Sequence, residues 1–219
     1  MQTDKDWKSA LTDVRRAYRI IVAYHKQTHH LMREVESLFP ELDFAYWDPV
    51  FTERPARSTS RPMDKWTWDG VPYHNMLACF LPRGIRRDKP LDDGDWFVVA
   101  HLESDSAVFK EGSDAVDENN APDPSRLMPA EKSASNLYLY AFIIDKTSAG
   151  RKAKDLRENE ETDADVGEWA ACPKTGVRML YRTRALEDVF PEGNIQHFVS
   201  QIRSDLSLAN VELSNNNQR

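Results

Sequence analysis

Arginine and tryptophan side chains cluster in residues 51–91, where they could bind an anionic polymer. The side chains concerned are Arg54, Arg57, Arg61, Trp66 and Trp68. The stretch holds eight basic and four acidic residues, so its net charge is +4. Guanidinium groups match phosphate geometry, and indole rings stack on nucleobases. The pattern predicts a nucleic-acid surface, with pairing to acidic loops of the same chain as the competing interpretation.

A second set of arginines alternates along residues 176–184. Arg178, Arg182 and Arg184 share one face of the strand predicted there, and the other face is mostly apolar. Neighbouring side chains on one face of a strand lie about 7 Å apart, a spacing suited to phosphate groups. Neutralisation of this face by nearby carboxylates is the alternative.

Three carboxylates, Asp92, Asp95 and Glu103, flank the segment that runs from residue 95 to residue 103. Paired acids at a strand end can hold a divalent cation for phosphodiester hydrolysis. The lysine that usually accompanies such acids is not found at the matching spacing. A metal-dependent phosphodiesterase or nuclease is therefore the alternative function, not the leading one.

Two histidines, His25 and His29, lie four residues apart in a helical segment, at a spacing that allows a shared metal ion. The sequence HKQTHH lacks the glutamate of a zinc-protease helix. His25 is therefore interpreted as a polar position in a helix seam, while His74 and His101 are interpreted as structural. No metal site and no cofactor are predicted, because glycine-rich phosphate loops, nucleophile elbows and cysteine pairs are also missing.

The composition indicates a folded protein of a reducing compartment. The chain has 219 residues, a net charge of −7 and a pI near 5.4. Its two cysteines, Cys79 and Cys172, form neither a disulfide framework nor a metal motif. Without a secretory signal or a membrane-spanning run, the expected location is cytoplasmic, with no membrane partner.

The sequence predicts one long helix at residues 4–39. Its side chains at alternating steps of four and three form an apolar stripe broken only at His25 and Thr28. The stripe consists of Trp7, Leu11, Val14, Tyr18, Ile21, His25, Thr28, Met32, Val35 and Phe39. A helix of this length spans about 52 Å, more than the body of a compact domain of this size. Its stripe is expected to pack on the C-terminal helix, residues 194–209, and on a protein partner or a second copy of the chain.

The remaining segments predict an α+β fold. Consecutive β-prone runs indicate a mostly antiparallel sheet of about four to six strands, with the C-terminal amphipathic helix against the first helix. Residues 41–62 are interpreted as an irregular connection, and residues 65–70 as a strand. The expected divisions are the helix at 1–40, an α+β body at 41–213 with charged insertions near 110–135 and 147–168, and a frayed tail at 214–219.

The leading functional hypothesis is a non-catalytic binding protein: an adaptor, an inhibitor or an assembly subunit. It rests on the over-long helix, the charged insertions and the lack of a catalytic motif. Nucleic-acid binding through the arginine and tryptophan side chains is a third hypothesis, after the nuclease.

Overall fold

The computed structural model describes residues 4–50, 52, 67–108, 123–158, 165–191 and 193–216. The helices are α1 (Asp4–Leu38), α2 (Ala153–Glu158), α3 (Leu186–Val189) and α4 (Asn194–Asn216). The strands are β1 (Leu42–Pro49), β2 (Asn75–Pro82), β3 (Trp96–Glu103), β4 (Asn136–Ile143), β5 (Ala170–Ala171) and β6 (Arg178–Ala185). Pro40 follows the end of α1 because proline cannot extend the backbone hydrogen-bond ladder.

All six strands form one antiparallel sheet in the order β1-β2-β3-β4-β6-β5. The predicted α+β class is confirmed, as is the packing of the C-terminal helix against the first helix. The apolar strands β2, β3 and β4 all lie inside the sheet, where neighbouring strands cover both of their edges.

Two segments differ from the sequence-based expectation. Residues 42–49, expected to be irregular, form β1, which pairs with β2 through a register shift between Phe44 and Tyr46. The prolines had suggested a loop, yet Pro49 occupies only the last position of β1, an edge strand that tolerates it. Thr67–Gly70, expected to lie in a strand, is a 3₁₀ turn instead.

Hydrophobic side chains fill both faces of the sheet. The first core layer lies between the sheet and the helices α1 and α4, with Val35 and Ile202 both fully buried. The second layer, on the opposite face, includes Phe97 and Leu156, the latter from α2. Alternation along each strand sends successive side chains into different layers.

The helices α1 and α4 are also joined by polar contacts at the end of α1. Arg203 on α4 donates a hydrogen bond to the carbonyl oxygen of Leu38 at 2.8 Å. The same guanidinium binds both carboxylate oxygens of Glu41, at 2.7 and 3.0 Å. These bonds fix the register of the two helices and leave the opposite end of α1 beyond their contact.

Candidate functional site

The N-terminal half of α1, residues 7–22 and here called the projecting half, carries large apolar side chains that remain exposed. Trp7 is 57% exposed, Leu11 51%, Val14 47% and Tyr18 66%. The same stripe is buried further along the helix, where Thr28 and Val35 are both 0% exposed. The stripe therefore continues beyond the core that covers its second half.

Among the described residues, the hydrogen bonds and ring contacts of α1 with other elements begin at Tyr24. Its hydroxyl group lies 2.7 Å from Ser104 Oγ, and its ring packs edge-on against Phe190 at 6.1 Å. Gln27 reaches the carbonyl oxygen of Phe190 at 3.4 Å. Burial raises the pKa of the Tyr24 phenol, so this group remains a neutral anchor. The helix extends from Tyr24 back to Trp7 over about 26 Å, at a rise of 1.5 Å per residue.

Positive charges flank the exposed stripe. The projecting half contains four basic residues, Lys8, Arg15, Arg16 and Arg19, against the single acid Asp13. Asp13 is paired with Arg16 at 3.0 Å, and Arg15 donates to the hydroxyl group of Thr12 at 2.8 Å. A net charge of +3 on this half contrasts with −7 for the whole chain.

An aromatic groove of about 210 Å³ lies at the base of the projecting half. Its walls include His29, Met32, Trp47 and Tyr73. Trp47 and Tyr73 stack at 5.4 Å, and His25 and His29 both contact the Tyr73 ring edge-on. Burial, with a smaller contribution from His29, lowers the pKa of His25. Both histidines thus pack on an aromatic ring.

The structure places two of the three arginines of β6, Arg182 and Arg184, against α4. Arg182 makes two hydrogen bonds to the Asp205 carboxylate, at 2.7 and 3.1 Å. Arg184 donates to Gln201 at 3.2 Å and lies over the Phe198 ring, while Arg178 lies over the Trp169 ring. Arg182 thus pairs with a carboxylate of its own chain, which is the alternative to phosphate binding.

The carboxylates of the nuclease hypothesis are not brought together. Asp95 lies one residue before β3, where its side chain accepts a hydrogen bond from the Asp92 amide at 2.8 Å. Glu103 lies at the other end of the same strand, roughly 25 Å from Asp95 at the usual rise per residue of a strand. In the described part of the chain, no group of three or more metal-ligating side chains occurs.

Most of the predicted nucleic-acid surface lies outside the described residues, including Arg54, Arg57, Arg61 and Trp66. Trp68 is described and packs edge-on against His74 at 5.2 Å. Two other arginines of residues 51–91 pair with β1: Arg83 with Asp43 at 3.7 Å, and Arg87 with Asp48 at 3.3 Å.

A polar cluster that the sequence analysis did not assemble lies at one end of the second core layer. This Glu103 cluster consists of Asn75, His101, Glu103, Asn136 and Tyr138. The carboxylate of Glu103, 9% exposed, accepts hydrogen bonds from Asn136 at 2.8 Å and from the Tyr138 hydroxyl at 3.1 Å. The Nε2 atom of His101 lies 2.6 Å from Asn75 Oδ1, and its ring stacks on Tyr138 at 5.3 Å. Period-two alternation could have placed His101 and Glu103 on one face, but only the pairing register adds the other three.

These features define an α+β protein with a projecting amphipathic helix and a polar cluster on the opposite sheet face. The chain belongs to the PM0109 family, whose model matches residues 4–210. The match spans α1, the whole sheet and most of α4. No curated protein and no solved structure matches the chain. Within the described residues, none of the helices is long and apolar enough to cross a membrane.

Proposed function

We propose that this protein is a non-catalytic cytoplasmic binding protein that docks onto another protein through the projecting half of α1. The partner is an acidic protein with an apolar groove rimmed by carboxylates. An adaptor, an inhibitor and an assembly subunit all act in this way. The observation that carries the proposal is the exposure of the stripe from Trp7 to Tyr18.

The stripe supports docking because its exposed side chains are contiguous and large. Exposed apolar patches of this kind mark interaction sites, whereas scattered exposed side chains are ordinary. Burial of each large side chain contributes about 1.5–3 kcal/mol. Because each of the four side chains is about half exposed, their burial supplies a gross gain on the order of 4 kcal/mol, which offsets part of the cost of association.

The flanking charges favour an acidic partner over a second copy. In a coiled coil built on the stripe, Lys8 and Arg15 occupy one flank, and Ala10 and Ala17 the other. Two antiparallel copies would place the basic flanks together, and two parallel copies would set arginine opposite alanine. Neither pairing gains an ion pair, whereas carboxylates on a different protein gain several.

The cysteines are consistent with the proposed compartment. Cys79 and Cys172 are both buried, and neither forms a disulfide bond. Buried thiols of this kind are compatible with a reducing compartment, in which disulfides are rare.

Site-specific photocrosslinking tests the proposal in the cells that make the protein. A photoreactive phenylalanine analogue replaces Leu11, and in a matched control it replaces Leu208 of α4, which is 65% exposed. We expect a discrete adduct with one acidic protein from position 11 and none from position 208. The adduct should disappear when Trp7 and Tyr18 are changed to serine.

The affinity of the purified chain for the purified crosslinked protein provides a quantitative test. Leu11→Ala should weaken the affinity at least about tenfold, and Leu208→Ala less than about twofold. A crosslink between two copies of the chain would show that the stripe binds a second copy, and would contradict the proposal of an acidic partner. Lipid adducts alone, or equal adducts from both positions, would overturn the proposal.

A further inference from the structure

We propose that the Glu103 cluster is a binding site for a planar cationic group of the amidinium or guanidinium class. The site lies on the sheet face opposite α1, because Glu103 and His101 alternate with side chains of the first core layer. It is therefore independent of the docking element proposed above.

The surroundings of the Glu103 carboxylate favour a cationic ligand. Glu103 is nine-tenths buried, and its two described hydrogen-bond donors are a neutral amide and a neutral phenol. Among the described residues, no lysine or arginine lies within ion-pair distance of this carboxylate. Burial of a carboxylate without a counter-charge is unfavourable, so a cation supplied by a ligand would stabilise it.

The nearby histidines do not supply that charge at neutral pH. Burial lowers the pKa of His101 to about 4, with Arg157 contributing in the same direction. Burial also lowers the pKa of His74, although Asp105 and Glu103 oppose the shift. Arg157 is itself paired with Asp48 at 3.9 Å. Neither histidine therefore provides a counter-charge for the Glu103 carboxylate at neutral pH.

The hydrogen-bond acceptors of the Glu103 cluster favour a ligand with N–H donors. Both described donors bind Glu103 Oε2, and Oε1 accepts from none of the described residues. Because the Asn75 amide oxygen can only accept, the contact assigns the proton of neutral His101 to Nε2 and leaves a lone pair on Nδ1. The Oε1 acceptor of Glu103 matches a ligand that offers several N–H donors, and amidinium and guanidinium groups offer them together with a positive charge.

The shape of the Glu103 cluster favours a flat ligand. The rings of His101, Tyr138, Tyr140 and Tyr181 stand nearly parallel, with interplanar angles of 21–27° and centroid separations of 5.3–6.3 Å. Parallel rings favour flat groups, and aromatic rings attract cations by their negative faces. Tyr138 is half-buried, so the outer edge of the cluster is open to a ligand.

Benzamidine is a suitable probe because it is planar and cationic, and benzamide is its neutral control of nearly equal size. We expect benzamidine, at concentrations near about 1 mM, to shift the NMR signals of His101 and Tyr138 in the unmodified chain. Benzamide at the same concentration should leave these signals unchanged. Trp7 and Leu11 should not respond to either compound.

Matched variants identify the charge that binds. Glu103→Gln should weaken benzamidine binding at least tenfold, while Glu34→Gln, on α1 at the other face of the sheet, should leave it unchanged. Equal shifts with benzamide, no shift at His101 and Tyr138, or equal effects of the two variants would overturn the assignment. The comparison of the two compounds decides the point even if Glu103→Gln fails to fold. None of these outcomes depends on the projecting half of α1.

Discussion

Trp7 and Val35 belong to one apolar stripe of α1, yet Val35 is fully buried and Trp7 is 57% exposed. The difference arises because the sheet and α4 cover only the second half of the helix. A single sequence pattern therefore has two roles: it forms core at one end and a docking surface at the other.

Two leucines of α1 should report this division in stability. Leu31→Ala should lower the free energy of unfolding by about 2–5 kcal/mol, because Leu31 is 2% exposed and its loss leaves a cavity. Leu11→Ala should change it by less than about 0.5 kcal/mol, because Leu11 is 51% exposed. Urea titration of both variants makes the comparison. A similar loss for both would show that the projecting half is packed within the chain.

The ion pair between Arg182 and Asp205 should stabilise the contact of β6 with α4. Asp205→Asn should cost about 1–3 kcal/mol, because the side chains are only 27% and 17% exposed and share two hydrogen bonds. The matched variant Asp13→Asn breaks an ion pair whose side chains are 70% and 66% exposed, and little change is expected. Thermal unfolding of the two variants makes the comparison. Equal losses of stability for Asp205→Asn and Asp13→Asn would show that the partly buried ion pair of Asp205 contributes no more than the exposed one.

Stability should fall as the pH decreases from 6.5 to 4, in part because of His101. Its pKa is about 4 in the folded protein against 6.5 in the unfolded chain. Between these values the unfolded chain binds more protons, so acidification favours unfolding by up to about 3 kcal/mol. His101→Gln should flatten this dependence without abolishing it, because His25 and His74 also have lowered pKa values. Identical pH profiles for variant and parent chain would contradict the prediction.

The two thiols should resist modification in the folded protein. Burial raises the pKa of Cys79 to about 12, and Cys172 is 1% exposed. Because the thiolate is the reactive form, a disulfide reagent such as DTNB at pH 8 should react with neither thiol until the chain is unfolded. Both thiols should then react. Rapid reaction without denaturant would show that one of them is accessible.

Local patterns were sufficient for the long helix, the central strands and the α+β class. The stripe of α1 and the aromatic run of β4 are strong periodic signals, and each identifies its element without tertiary information. By contrast, β1 contains polar residues and ends in Pro49, so its strand character depends on pairing with β2.

The Glu103 cluster depends on register, which single-sequence patterns do not reveal. Glu103 pairs with Asn136 and His101 with Tyr138 across β3 and β4, although more than thirty residues separate them in the chain. Similarly, the partner of Arg182 is Asp205, which is contributed by α4. Side chains distant in sequence meet only once the sheet order is known.

The central claim is that the projecting half of α1 binds an acidic protein, and its most direct test is the salt dependence of that binding. The partner identified by crosslinking is purified and titrated with the parent chain and with the double variant Lys8→Glu, Arg15→Glu. The two affinities are compared at low and at high salt. We expect the parent chain to bind more weakly as the salt concentration increases, and the double variant to bind at least about tenfold more weakly than the parent at low salt. Equal affinities of the two chains at low salt would contradict it.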